Sequence, residues 1–427
     1  MECPRRVPPL RSAQGLVQAT ALVVAMSMVI GRASAAQYLI NPGDDWQSKA
    51  ARIRPGDEII LMPGRHREAS FDTLVGAAGA PITIRGATPG KPTIIAAQLD
   101  GIRVKEGAHL VIKDLQIVGG SASGIWIGPA AASAQSTPDQ GTPRPSPSDR
   151  GAEPDSTNRA VRARDVLIEN VSISKVGPRG QRHGIYIRGF ADVRMTDVRV
   201  EGWGGSAIEL VACEDVMLAR CNFHGLEDHS QYCGVRARGG CDRISISDTQ
   251  FFDAGDIAVS LGGRSSPEEF LPPMASNAPN GSVPEVRRAT LDQCVIVGSL
   301  CAIAYIHATD CVVRGTTIVR PRRCTFALLN ESPDVRVAPT KDNIFGGNLI
   351  VWQAGDLKHL AEVGDGVDAN AFVLERNLWW SNDPAEQRAK LGPLPGKEPA
   401  EQVFDVDPRL DKAFKPAEPA ARGYGAR

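Results

Sequence analysis

Short runs in which apolar and polar residues alternate recur through the middle of the chain, and they come in pairs. The longer member of each pair opens on Asp: Asp165-Val-Leu-Ile-Glu-Asn-Val-Ser-Ile173, Asp192-Val-Arg-Met-Thr-Asp-Val-Arg-Val200, Asp215-Val-Met-Leu-Ala-Arg-Cys-Asn-Phe223, Asp242-Arg-Ile-Ser-Ile-Ser-Asp-Thr-Gln250 and Asp310-Cys-Val-Val-Arg-Gly-Thr-Thr-Ile318. Ala289 to Val297 is a further copy without the leading Asp. A shorter run precedes most copies: Gly184-Ile-Tyr-Ile187, Ala207-Ile-Glu-Leu210, Gly234-Val-Arg-Ala237 and Ala302-Ile-Ala-Tyr305. Gly101-Ile-Arg-Val104 leads into Leu110-Val-Ile-Lys-Asp-Leu-Gln-Ile117 in the same order. A period of two marks a strand with one face buried. A repeat of roughly twenty-odd residues holding two or three short strands predicts an all-β fold, a single right-handed parallel β-helix. One coil cannot bury its apolar side alone; stacked coils close a continuous core. Asp and Asn at the corners tolerate left-handed backbone angles, so the repeat Asp residues read as turn formers.

The repeat assigns side chains to faces. Six residues before the last four of these Asp residues stand Tyr186, Glu209, Arg236 and Ala304, and the column extends by analogy to Arg103, Trp126 and Ser260. Their neighbours, Ile185, Ile187, Ile208, Leu210, Val235, Ala237, Ile303 and Tyr305, are nearly all apolar and must point inward. The column therefore points outward, and Arg188 and Arg238 lie on the same side two residues on. Consecutive positions are expected about 4.8 Å apart along the axis.

The ends and interruptions differ in character. Arg5 and Arg6, the apolar run from Ala19 to Ile30, and Ala33-Ser34-Ala35 read in order as a secretory leader over residues 1–35. Export to a secreted or periplasmic location follows as an expectation, with no integral membrane segment after the leader is removed. The helix is expected over 36–380, with a disordered Pro/Ser/Ala-rich insertion at 129–160, a second Pro-rich insertion from Ser265 to Glu285, and a polar tail over 381–427. Lys plus Arg total 48 against 49 for Asp plus Glu, a balance that argues against nucleic acid as the main partner. Eight cysteines follow the leader without metal-binding spacing; they read as small buried hydrophobes, although an exported chain permits disulfides.

Pro55-Gly-Asp-Glu-Ile-Ile-Leu-Met-Pro-Gly64 and Ala80-Pro-Ile-Thr-Ile-Arg85 resemble the opening coil of pectin-lyase-like β-helix proteins, the chondroitinase B and alginate lyase family above all. Cys233-Gly-Val-Arg-Ala-Arg-Gly-Gly240 and Ala258-Val-Ser-Leu-Gly-Gly263 resemble related exported bacterial β-helix repeat proteins. The resemblance implies cleavage of uronate polymers by β-elimination, with a strand-borne lysine as base, an arginine on a neighbouring coil, and calcium held by acidic residues just before the lysine. The lysine position falls on Arg238, and Gln231 and Cys233 stand where carboxylates would be expected, so calcium is possible here without an assigned site.

The outward column suits an acidic polysaccharide. Aromatic rings can stack on sugars, and arginine forks pair with carboxylate or sulfate. Trp126, Arg188, Glu209 and Arg103 are the candidate substrate-binding residues. In β-elimination a carboxylate is neutralised, a base takes the α-proton, and an acid protonates the leaving oxygen. Arg238 and Arg236 are candidate neutralisers, Tyr186 or His183 the base, and Arg264 the neighbouring-coil arginine. His183 also reads as a hydrogen-bonding turn residue, and the column as a solvated face. His224, Glu227, Asp228 and His229 form a loop cluster that reads as a metal site or as solvated charge. A glycoside hydrolase would need a second carboxylate beside Glu209; a non-catalytic glycan-binding or surface protein would need no base.

Overall fold

The computed structural model describes residues 35–87, 91–129, 162–382, 390–396 and 401–427. Most of the expected leader, residues 1–34, and residues 130–160 of the first insertion lie outside them. Residues Ala35–Arg427 form one compact unit.

Alternating residues make strands, and the coils pair them in parallel throughout. Among the described residues one sheet holds ten strands in strict chain order. They are β1 (Ala69–Val75), β2 (Ile102–Ala108), β3 (Ile125–Pro129), β4 (Ile185–Arg188), β5 (Ser206–Val211), β6 (Cys233–Arg238), β7 (Ile257–Gly262), β8 (Cys301–Ile306), β9 (Cys324–Leu329) and β10 (His359–Val363). The Asp-led repeats form the other sheet: Val166 pairs with Val193, Val193 with Val216, and Val216 with Ile244. The fold is the right-handed parallel β-helix that the repeat predicts.

The corners explain the repeat residues. His109, Asp165, Asp192, Asp215, Arg243, Arg288, Asp310 and Asp342 occupy successive coils, all with φ between 50° and 60°. One of the repeat Asp residues falls out of this ladder. Asp242, expected in this column, sits one residue ahead of it, and Arg243 takes the left-handed place with φ 53°. The cause is the Gly239-Gly240 turn, in which both glycines have positive φ and which is one residue longer than the turn of the coil before. Asp242 instead pairs with Arg243, Arg287 and Arg288.

The interior is filled by the inward side chains, and aromatic rings stack between later coils. Phe326 lies 4.9 Å from Phe345, 5.1 Å from Phe372 and 6.5 Å from Tyr305, ring centre to ring centre. Among the described residues, each end of the stack is covered in part. At the start, buried Trp46 on the short helix Trp46–Lys49 packs edge-on against Phe71 and donates to the Arg67 carbonyl at 2.9 Å. At the other end, Val403 extends the pairing of the last coil. The chain then runs back, so that the Ala426 amide donates to Thr317 Oγ1 at 2.9 Å. Covering the edges removes unpaired strands that would otherwise recruit other chains.

Phe326 is fully buried among three aromatic neighbours. Phe326→Ala is expected to lower unfolding free energy by about 3–5 kcal/mol in denaturant titration, the range for an unfilled aromatic cavity.

Candidate functional site

The outer face of the ten-stranded sheet carries the column in register. Arg103 pairs with Trp126, Trp126 with Tyr186, Tyr186 with Glu209, Glu209 with Arg236, Arg236 with Ser260 and Ser260 with Ala304. Arg188, Val211 and Arg238 form the parallel outward column. The flanking Ile185, Ile187, Ile208, Leu210, Val235 and Ala237 are buried in the core, which fixes the column to the outside.

Its N-terminal half is an internal stack. The Trp126 and Tyr186 rings lie 5.5 Å apart and 4° from parallel. The Arg103 guanidinium covers the other indole face at 4.2 Å and is held by Asp100 at 2.9 Å. Both faces of Trp126 are occupied, so the indole offers an edge, and not the sugar-stacking platform the sequence suggested.

The C-terminal half is organised by Glu209, which is 0% exposed. It accepts from Ser206 Oγ at 2.7 Å, Arg236 Nε at 2.8 Å and Arg238 Nε at 2.8 Å, and its Oε2 lies 3.9 Å from His183 Nδ1. Burial alone would raise its pKa, but Arg236, His183 and Arg238 together hold the carboxyl below its ordinary range. A shielded carboxylate with these partners orients arginines; it does not reach a ligand.

Both arginines are tethered further. Arg236 donates from Nη2 to Gln181 Oε1 at 3.1 Å, with its guanidinium 5.4 Å from the Tyr232 ring centre. Arg238 Nη1 donates to Ser265 Oγ at 3.1 Å and meets Glu269 Oε2 at 2.8 Å. Burial opposes the Arg238 charge, but Glu209 and Glu269 keep it protonated, so it acts as a clamp and not as a base.

His183 is almost fully buried, and its Nδ1 accepts the Ser206 amide at 3.1 Å. Burial pushes its pKa down to about 4 against the opposing pull of Glu209. The ring is neutral at pH 7, and the Ser206 bond assigns its proton to Nε2. In that tautomer Nε2 donates, and it has no lone pair with which to take a substrate proton. The ring centre lies 5.6 Å from that of Tyr186, whose phenol pKa burial raises.

The second Pro-rich insertion closes one side. Ser266 and Glu269 cap the short turn Pro267–Glu269 reciprocally, and Arg188 Nη2 donates to the Glu268 carbonyl at 2.6 Å. Fully buried Glu285 anchors this arm, accepting from the Gly239 amide at 2.7 Å and from the Ser265 amide and hydroxyl at 2.6 Å each. The sequence reading did not single out Ser265, Glu269 or Glu285. The Ser-x-x-Glu spacing of Ser266 and Glu269 was a readable capping signal; nothing local marked Glu285.

Arg264 stands exposed beyond β7, with no bond to the column among the described residues. Gln231 is tied to the Leu226 carbonyl, and the Cys233 thiol is buried against Val235 O at 3.2 Å. Of the expected loop cluster, His229 Nδ1 meets Asp228 Oδ1 at 2.7 Å in the loop before β6, whereas His224 ends the strand Asn222–His224 and packs edge-on to Phe252 of the next coil. Among the described residues no group of three or more His, Cys, Asp or Glu is placed to hold a metal.

Two variants probe this geometry. Glu209→Gln leaves two largely buried guanidinium groups without their shared anion and is expected to cost about 3–5 kcal/mol in denaturant titration. His183 has a folded pKa near 4 against 6.5 when unfolded, so the unfolded chain binds the extra proton between those values. Its contribution is complete above pH 6.5 and is lost as pH falls, by about 3 kcal/mol in full. His183→Gln should flatten the stability profile between pH 6.5 and about 4.5, above the range where Glu209 titrates.

Comparison with known proteins bears on the fold. Residues 158–341 match the sequence model described as the right handed beta helix region. No curated protein matches by sequence. Among solved structures, an alginate lyase of the PL6 family (AlyGC) aligns at 14% identity and a TM-score of 0.43, over 92% of this chain; the chain spans 56% of that protein. An alginate lyase from Paenibacillus sp. str. FPU-7 aligns at 13% identity and 0.45, over 87% of this chain and 98% of its own. The A-module of the mannuronan C-5 epimerase AlgE6 from Azotobacter vinelandii aligns at 14% and 0.48, over 85% and 93%. With in-register parallel coils across the molecule and the family match through its centre, the chain is a right-handed parallel β-helix protein.

Proposed function

We propose that this protein is an exported lyase that cleaves an acidic, uronate-containing polysaccharide by β-elimination on the outer face of the ten-stranded sheet. The observation that carries the reading is the convergence of Arg236 and Arg238 on the buried Glu209, beside His183 and Tyr186 of the preceding coils. A uronate carboxylate must be neutralised before its α-proton becomes acidic. Arg236 and the Nε2–H of His183 supply donors whose positions are fixed in advance, and Glu209 holds the arginine fork without competing for solvent. Tyr186 is then the group that moves the proton. Burial makes its phenolate costly, and the charges of Arg188 and Arg238 offset part of that cost. The role of His183 moves from base to donor. A hydrolase is disfavoured because Glu209 is shielded and fully engaged.

One observation favours a second reading, a glycan-binding protein without catalysis. Arg238 already meets two internal carboxylates, Glu209 and Glu269, and the phenol is held in its protonated form.

Ultraviolet absorbance of an unsaturated uronate, followed with a panel of uronate polymers, separates the two. The lyase reading expects a rise with at least one polymer. Tyr186→Phe should reduce the rate by ~10²-fold or more, as for loss of a proton-transfer group, and Arg236→Ala by ~10²-fold, as for loss of an electrostatic donor. A flat trace on every polymer, together with retardation in a gel containing the same polymer, would leave binding alone.

A further inference from the structure

The coil register places two thiols against each other on the outer side of the ten-stranded sheet, two coils and more beyond Arg236. Cys301 opens β8 and Cys324 opens β9, and they are direct partners in the parallel ladder. Neighbouring parallel strands lie about 4.8 Å apart, inside the span of roughly 4.4–6.8 Å between Cα atoms that a disulfide requires. The two sulfurs lie 3.0 Å apart, within hydrogen-bond reach. Both belong to a small buried cluster with Ala327, which continues the outward column through Ser260 and Ala304, so the pair lies outside the main core on the same side of the sheet. We propose that Cys301 and Cys324 form a disulfide that ties two consecutive coils together.

The surroundings divide the chemistry between the two sulfurs. Cys324 follows Arg323, whose guanidinium pairs with Glu362 at 2.7 Å, and Glu362 Oε2 lies 3.9 Å from Cys324 Sγ. The bond to Cys301 and the Arg323 charge favour the Cys324 thiolate, while burial holds Cys301 protonated. Cys324 is therefore the attacking sulfur, and because both sulfurs are buried in the folded chain the exchange takes place while the coils assemble. Its thiolate attacks a disulfide oxidant such as oxidised glutathione and expels one glutathione thiolate, leaving a mixed disulfide. Cys301 then loses its proton and attacks the Cys324 sulfur, expelling the second. One disulfide and two thiols become one intramolecular disulfide and two thiols, and the two protons pass to the released glutathione. An oxidising compartment, which the leader implies, supplies such oxidants.

The other consecutive-coil pair, Cys213 and Cys241, is also in side-chain contact but has a different setting. Cys213 Sγ donates to the Ile187 carbonyl at 3.5 Å and Cys241 Sγ to that of Leu210 at 3.6 Å, both inside the main core. There the thiols serve as packing groups with carbonyl partners.

The test refolds the purified chain in the presence of oxidised glutathione, then unfolds it, alkylates it and maps peptides without reduction. The expected result is two alkylatable thiols fewer than in the reduced chain and one linked peptide joining Cys301 to Cys324. Cys301→Ser should abolish the linked peptide. Full alkylation of the wild-type chain after oxidation, or a link through any other pair, Cys213 with Cys241 included, would overturn the assignment. The wild-type result alone decides the matter if the variant fails to fold.

Discussion

Everything in this molecule rests on in-register stacking of coils along one axis. Each strand hydrogen-bonds to the equivalent strand of the next coil, so any residue type repeated at one coil position becomes a ladder. Apolar positions become a continuous core, left-handed corner residues become a rail of turns, and outward positions become a line of side chains about 4.8 Å apart. At that spacing a planar ring above another must stack with it, as Trp126 does with Tyr186. A charge must likewise find its partner one coil away, as Glu209 does with Arg236.

The charge balance of the outward column follows from that spacing. Two arginines project from the same strand, β6, and both turn back onto the glutamate of β5. Alone, Glu209 would be an unpaired buried anion of high cost; between two guanidinium groups and the Ser206 hydroxyl it is satisfied. Glu269 then meets the outer edge of Arg238, so two cations are matched by two anions. The pairing makes the site rigid, and it also decides which donors remain for a ligand. Arg238 is held from both sides, by Glu209 and by Glu269.

Much of this was legible without coordinates. The period of two separated Ile185 and Ile187 from Tyr186, and the repeat aligned Tyr186, Glu209 and Arg236 on successive coils, because alternation and coil length are local properties of the chain. The reading slipped at Asp242, where the Gly239-Gly240 turn is one residue longer, since a repeat fixes average spacing and not the length of each corner. It also took outward-facing to mean exposed. Glu209 points outward and is nevertheless fully buried, because its neighbours fold over it.

By itself the sequence determined the solenoid, the inward and outward sides, and which residues share a column, for all three follow from periodicity. Tertiary structure alone decided how those residues spend their bonding capacity. It turned the faces of Trp126 inward on Arg103 and Tyr186, and through the Ser206 amide it assigned the His183 tautomer. It also brought Ser265 and Glu269 from the Pro-rich insertion onto Arg238, with Glu285 anchoring the arm. These contacts join segments with no common period, and their energies depend on desolvation by neighbours that no local pattern specifies.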